Sequence, residues 1–319
     1  MKPVVSVSCL AFNHAPYIRK TLDGFLMQKT TFPFEILIHD DCSTDGTSNI
    51  IREYEQRYPE IFFPIFEKEN QYCKGLPIGT MIWNLPRARG KYIALCEGDD
   101  YWIDPFKLQK QVDFLESHPE YGMCYTKVER LSQVTGKISD CWGGPNTSFE
   151  QLLLKNTVPT LTTLIRADLY RQYIEEINPG NKSWKMGDYP LWLYISLKSK
   201  IFFIPEVSGI YRVLPESSSH SKSISKRYYF DKSYKSIAEY FIKRFRNQIS
   251  RRVEKEFMIG KHSLLLTMGQ IVRDEEEIKE ARAFFKGKKK SLRLALLTLP
   301  GWLIRYPLKF KFYISGWKF

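Results

Sequence analysis

Several features are missing from this 319-residue sequence, and each absence closes off a class of protein. Its six cysteines, Cys9, Cys42, Cys73, Cys96, Cys124 and Cys141, contain no CxxC pair, so spacing offers neither a zinc finger nor an iron–sulfur ligand run. Scattered through the first half, several within apolar runs, they read as buried free thiols of a reducing compartment. Glycine (18) and proline (17) are too few for a collagen-like or low-complexity chain. No GxGxxG follows the first apolar stretch, which argues against a dinucleotide-dependent dehydrogenase. That stretch, Val4 to Phe12, ends at Asn13-His14 with no small-residue cleavage site, so it reads as a strand rather than a secretory signal. Mean hydropathy is only −0.34, too low for a chain that crosses a membrane many times.

Acidic residues are absent from one region in particular. Residues 1–221 carry 24 basic and 26 acidic groups, whereas 222–319 carry 24 basic and 9 acidic. The last 34 residues, 286–319, hold 9 basic and no acidic groups. The chain therefore divides into a near-neutral region, 1–221, and a basic, mostly helical region, 222–319. In the tail, cations interleave with Leu292, Leu296, Trp302, Tyr306, Phe310 and Trp317. A nucleic-acid arm has little use for that much aliphatic surface, whereas a helix lying in an anionic membrane interface needs it. Arg293, Arg305 and Pro300-Gly301 interrupt the stretch, and a spanning helix needs about 20 mainly apolar residues. The tail is expected to lie on a membrane surface, with packing on the protein's own core as the plain alternative and nucleic acid excluded as partner.

What is present is a long alternation. Val4–Ala11, Phe34–His39, Ile61–Phe66, Tyr92–Cys96 and Gly122–Thr126 read as strands, with Leu161–Ile165 and Ile201–Ile204 later. Helical spacing fills Tyr17–Gln28, Ser43–Tyr58, Ile78–Leu85, the stretch opening at Asp104-Pro105 and the one following Asp188. Cys141–Pro145 reads as a loop, and the pattern from Tyr228 onward as helix. Strands alternating with helices predict an α/β domain with a mainly parallel sheet flanked by helices.

Two acidic clusters fall just past strand ends: Asp40-Asp41-Cys42-Ser43-Thr44-Asp45 and Glu97-Gly98-Asp99-Asp100. Ligands collect at that edge of an open α/β sheet. Packing has no evident use for several carboxylates there, because unpaired buried charge is costly. A hard divalent cation, Mg2+ or Mn2+ bridging phosphates, would resolve the conflict. Asp188 stands among aromatics at a helix start, a setting that suits a general base. Arg212 could meet a diphosphate, and His220 could be a metal ligand or touch an acceptor.

With these residues in view, the chain resembles a family 2 glycosyltransferase of the GT-A fold, of the kind that builds bacterial surface polysaccharide. The resemblance rests on Val5 to Asn13, Asp40 to Thr47, Gly90 to Trp102 and Gly187-Asp188, and covers about residues 3–215. It implies a nucleotide-sugar donor, with UDP-sugars favoured, and a glycan or lipid-linked acceptor at the inner face of the cytoplasmic membrane. It puts Asn13 and Asp41 on the nucleotide, Asp99 on the ribose or metal, Asp100 on the metal under the diphosphate, and Asp188 in the place of the base. Two departures stand out: Leu10 and Ala11 replace a frequent proline, and Glu97 replaces the usual first aspartate, so its longer arm makes its own metal contact an open point. The rivals are a sugar nucleotidyltransferase, which would want a glycine-rich basic loop where Asn13-His14-Ala15-Pro16-Tyr17 stands, and a non-catalytic adaptor.

Overall fold

The computed structural model describes residues 2–74, 80–215 and 223–286. It divides into two compact units, Met1–Leu214 and Pro215–Phe319. The expected boundary at 221/222, His220, and the tail beyond Lys286 lie outside the described residues.

The first unit opens β1 (Val5–Ala11), α1 (Ile18–Leu26), β2 (Phe34–Asp40), α2 (Thr47–Arg57) and β3 (Phe62–Phe66). It continues through α3 (Thr80–Trp83), β4 (Tyr92–Leu95), β5 (Tyr101–Trp102), α4 (Lys107–Ser117), β6 (Tyr121–Ser132) and β7 (Ile138–Trp142). Then come α5 (Phe149–Leu154), β8 (Leu164–Arg166), α6 (Ala167–Ile177), α7 (Asp188–Lys198) and β9 (Lys200–Val213). One sheet takes all nine strands, in the order β3-β2-β1-β4-β8-β6-β9-β5 with β7 on β6. The block β3-β2-β1-β4 is parallel, as is the long β6–β9 pair. β8 joins the two antiparallel, and β5 and β7 are antiparallel additions. The expected α/β architecture holds, with its parallel character concentrated in that block.

The reason β1 is central is visible along its length. Val5, Val7 and Cys9 are fully enclosed, as a strand covered on both faces requires. The alternate residues are polar but supplied with partners. Ser6 Oγ donates to Glu35 Oε1 at 2.6 Å and accepts from Gly90 N at 2.9 Å. A side chain at Gly90 would bring Cβ to 2.5 Å from Ser6 N, so the backbones approach that closely only because Gly90 has none.

Some elements begin or end away from expectation, each for a local reason. α2 starts at Thr47 rather than Ser43, because the intervening side chains bind the neighbouring loop. α4 starts at Lys107, since Asp104 Oδ1 accepts from Phe106 N at 2.9 Å and forms a turn ahead of the helix. Cys141 and Trp142 belong to β7, and the loop starts at Gly143, which has φ 119°. Thr160–Thr162 is a 3-10 turn, and its strand runs Leu164–Arg166. β9 does not stop at Ile204: its register against β6 shifts between Ile204 and Val207, which accommodates Pro205 and carries the strand on to Val213. Of the cysteines, Cys9, Cys96 and Cys124 are buried as expected, Cys42 is half-buried, and Cys73 and Cys141 are exposed.

The second unit is helical: α8 (Ile224–Arg244), α9 (Arg251–Val272) and α10 (Glu275–Phe285). Side chains of Ser223, Ser250 and Asp274 cap the three helices. Tyr228, Leu265, Leu266, Ile278, Ala281 and Phe285 form its core. Among the described residues no helix is long and apolar enough to cross a membrane.

Candidate active site

The first acidic cluster is tied into the protein's own hydrogen bonds. Asp40, the last residue of β2, accepts from the hydroxyls of Ser43 and Ser48. Asp45 takes Ala15 N at 2.9 Å on one oxygen, and Thr47 N at 3.0 Å and Thr47 Oγ1 at 2.6 Å on the other. These donors hold the Asp45 carboxyl below its ordinary value even though burial pushes it up. Asp41 accepts from Gln71 N at 2.7 Å and Tyr72 N at 3.2 Å, while its own N–H reaches Ala11 O at 3.0 Å. Asn13, in the left-handed region at φ 55°, clamps the facing loop: its Oδ1 accepts from Thr44 N and its N–H donates to Ser43 Oγ, both at 2.9 Å. The expectation that packing has no use for three carboxylates here is therefore corrected, since each has donors from its own chain. Phe12, next to the Ala11 that accepts from Asp41 N, and Tyr72, whose N–H reaches Asp41, are both exposed.

The second cluster is different. β4 ends at Leu95, and the next turn is pinned by backbone bonds from Gly98 N to Leu10 O (2.9 Å) and from Asp100 N to Glu97 O (3.2 Å). A Cβ at Gly98 would lie 2.8 Å from His14 Nδ1 and 2.9 Å from Ile18 Cδ1, so the turn fits against α1 only as glycine. Within it, Asp100 is buried and accepts from Arg212 N at 2.7 Å. Among the described residues no ion pair reaches any of the three, no hydrogen bond reaches the side chain of Asp99, and Glu97 has only its own backbone N–H. The charges consequently oppose one another. Glu97 is pushed up to about 8 by burial and then by the charges of Asp99 and Asp188. Asp100 is held well above the carboxylate range by burial, Asp99 and Glu97. A hard divalent cation fits such a donor set. No three His, Cys, Asp or Glu side chains among the described residues are grouped to hold a metal, so the protein would give one or two carboxylates and leave the other positions to phosphate and water.

Asp188 is the first residue of α7, half-buried, with Gly187 at the cap position. Thr160 Oγ1 donates to its Oδ2 at 2.7 Å, and Tyr189 N donates to its Oδ1 at 2.8 Å. The turn carrying Thr160 is itself anchored, with Trp102 Nε1 donating to Leu161 O at 2.6 Å. Asp188 is close enough to raise both Glu97 and Tyr170 electrostatically. Arg212, near the end of β9, reaches the same edge because β5 pairs with β9 and sets Asp100 beside it. Its guanidinium is buried between the rings of Tyr101 (4.7 Å) and Tyr17 (5.2 Å). Nη1 donates to Gln133 Oε1 at 3.3 Å, while Nε and Nη2 have no hydrogen-bond partner among the described residues. His220 lies outside the described residues.

Four contributors were not singled out from sequence. His14 sits at the start of α1 with Nδ1 buried and unpartnered, its imidazole held below the ordinary value by burial against the pull of Asp99, Asp45 and Asp40. Tyr17 and Tyr101 sandwich Arg212, and Thr160 holds Asp188. Only His14 carried a sequence signal, as a titratable residue directly after the first strand.

The model of glycosyl transferase family 2 matches residues 6–167, half of the chain. The chain belongs to that family. It is 35% identical over 232 residues to an uncharacterized protein of Mycobacterium tuberculosis, a match covering 71% of this chain and 64% of that protein. The chain thus spans less than two thirds of the length of that relative. It is 30% identical over 227 residues to WfaP of Escherichia coli, named a UDP-Glc:alpha-D-GlcNAc-diphosphoundecaprenol beta-1,3-glucosyltransferase, over 69% of this chain and 81% of WfaP. Among solved structures, the mannosyltransferase PcManGT of Pyrobaculum calidifontis, in complex with GDP-Man and Mn2+, superposes with TM-score 0.56 at 18% identity, over 97% of this chain and 83% of that one. That likeness shows the fold, which is GT-A.

Proposed function

We propose that this family 2 chain is an inverting glycosyltransferase that moves a sugar from a nucleotide-diphosphate donor to a hydroxyl of a glycan or lipid-linked acceptor. The observation that carries the reading is the undersupplied edge: among the described residues Glu97, Asp99 and Asp100 make no ion pair, while Arg212, whose charge acts on Asp100, keeps two buried N–H directions open. Carboxylates and an arginine left unpaired side by side suit a metal diphosphate, which brings charge of both signs.

Asp99 and Asp100 would hold Mn2+ or Mg2+ with Glu97 beside them, and the bound ion would stabilise charge on the leaving diphosphate as a Lewis acid. Arg212 turns its free N–H groups to the diphosphate oxygens. Asp41, with Asn13 supporting its loop, faces the base, and the Phe12 and Tyr72 rings give it flat walls. Asp188 receives the proton of the acceptor hydroxyl while that oxygen attacks the anomeric carbon, and one displacement inverts the centre. The Thr160 and Tyr189 donors fix its carboxylate and leave lone pairs for that proton. His220 is assigned to the metal or acceptor side by its place after Arg212 in the chain.

A UDP-sugar donor and a lipid-linked, surface-polysaccharide acceptor are supported by the name of WfaP. Mn2+ is supported by the ion bound to PcManGT. The basic, apolar tail at 286–319 supports peripheral attachment to the inner face of the cytoplasmic membrane. Titration calorimetry with UDP, GDP, CDP and TDP, each with Mn2+ and again with EDTA, tests the reading. UDP is expected to bind with Mn2+ and to be lost in EDTA. Failure of every nucleotide to bind under both conditions would overturn it.

A further inference from the structure

In the helical unit one end mixes acids with cations, Lys226, Arg227, Lys232, Arg273 and Lys279 among them, while the other end is mainly basic. α8 and α9 run antiparallel, since Tyr228 Oη in the first turns of α8 donates to Asp274 Oδ2 just beyond α9. At that end lie Asp274, Glu275, Glu276, Glu277 and Glu280, with Lys232 paired to Asp274 (3.1 Å) and Glu277 (2.9 Å). At the opposite end, roughly 30 Å away by helix length, the connection between α8 and α9 gathers Lys243, Arg244, Arg246, Arg251, Arg252 and Lys255, all exposed. Residues 243–256 contain two acids, Glu254, which Arg246 meets at 3.5 Å, and Glu256, exposed on the same surface as Arg252 and Lys255, so the six cations remain in excess. Lys243 meets Glu239 at 3.0 Å. Arg251, Arg252 and Lys255 make no ion pair among the described residues.

This arrangement works against the unit's own stability. Arg251 and Lys255 are like charges at i and i+4, and both they and Arg252 stand near a helix start, where the backbone dipole disfavours cations. The same surface carries exposed Ile259 one turn on, and half-buried Phe245 and Ile249 in the connection. The following helix leads back towards it. α10 returns along α9, with the Phe284 ring 4.0 Å from His262, and the sequence after it holds nine cations and no acid.

We propose that the α8–α9 connection is a docking surface for an anionic lipid bilayer, its six cations meeting lipid phosphates and Ile259 facing the headgroup boundary. Charge complementarity identifies the partner. A single-stranded nucleic acid would call for exposed rings on which bases stack, and the connection exposes none. The inference shares its partner with the membrane part of the reading above, but rests on different residues from the tail.

The test uses the full chain and sedimentation with vesicles of phosphatidylcholine, with and without phosphatidylglycerol. The parent should favour the anionic vesicles and release with salt. Each cation near such a surface is worth about fivefold in partitioning, so a chain with Arg246→Gln, Arg251→Gln, Arg252→Gln and Lys255→Gln should lose nearly three orders of magnitude, about 600-fold. Replacing the three arginines by lysine should retain binding, and Glu275→Gln with Glu276→Gln should not weaken it. Equal binding of the glutamine variant and the parent would overturn the docking surface and leave the tail as the membrane element. Absence of any preference of the parent for anionic vesicles would overturn both. Tighter retention of the parent by nucleic acid than by vesicles would overturn the choice of partner.

Discussion

The two acidic turns at the edge of the sheet look alike in sequence and differ in what surrounds them. Asp40, Asp41 and Asp45 receive hydroxyl and backbone N–H donors on every carboxylate. Among the described residues the second turn has far fewer donors, the Arg212 N–H on Asp100 and Glu97's own N–H, and burial with the charge of Asp99 raises the proton affinity of Glu97 and Asp100. A buried carboxylate with donors stabilises a loop, whereas one without them costs folding free energy until a ligand arrives. Position at a strand end does not separate the two kinds, but hydrogen-bond supply does. The first turn therefore shapes the edge, and the second, with Asp188 and Arg212, is the part to which we assign the proposed chemistry.

The largest effect expected from this division is at Asp188. Asp188→Asn keeps an oxygen for the Tyr189 N–H, turns an amide N–H towards the Thr160 hydroxyl in place of the second oxygen, and removes the proposed base. Turnover should fall by about two or more orders of magnitude, a usual scale for general-base loss, with calorimetric nucleotide affinity kept. Unchanged turnover would remove Asp188 from the role. Next comes Asp40→Ala, which strands two serine hydroxyls. It should lower stability by about 1–3 kcal/mol in urea unfolding. If it left stability untouched, the first turn would not be structural in the sense argued here.

A smaller and opposite shift is expected at Asp99. Its charge raises both Glu97 and Asp100, and its side chain has no hydrogen bond to lose. Asp99→Asn should therefore raise the melting temperature in EDTA, by the equivalent of about 1 kcal/mol for one relieved like-charge contact, while weakening Mn2+-dependent nucleotide binding. A variant less stable than the parent in EDTA would mean that the second turn is as well supplied as the first.

How far the sequence revealed this depends on the range of each contact. β1, β2, β3 and β4 were legible because their apolar runs end in polar turns, and α7 because Trp192 to Ile195 follow Asp188. α6 and α5 were missed, although Ser148 and Gln151 form a capping box whose spacing was on view. β9 was cut short at Pro205, where local propensity reads a stop and the register shift against β6 overrides it. That error matters, because the continuation of β9 is what brings Arg212 to Asp100. The separation of the two acidic turns was out of reach for a similar reason: the donors to Asp41 come from Gln71 and Tyr72, some 30 residues away.

The smallest effect concerns a residue that acts through another. Thr160 lies 28 positions before Asp188, and among the described residues its hydroxyl is the side-chain donor to that carboxylate, at 2.7 Å. Thr160→Val keeps the shape of the 3-10 turn and removes the donor. The rate should fall about three- to tenfold, in keeping with the loss of one hydrogen bond of about 1 kcal/mol. Donor KM should not change, because the Thr160 hydroxyl bonds to Asp188, and Thr160→Ser should restore the rate. A drop in rate that Thr160→Ser does not restore would make Thr160 a packing residue only, and would leave the proposal for Asp188 untouched.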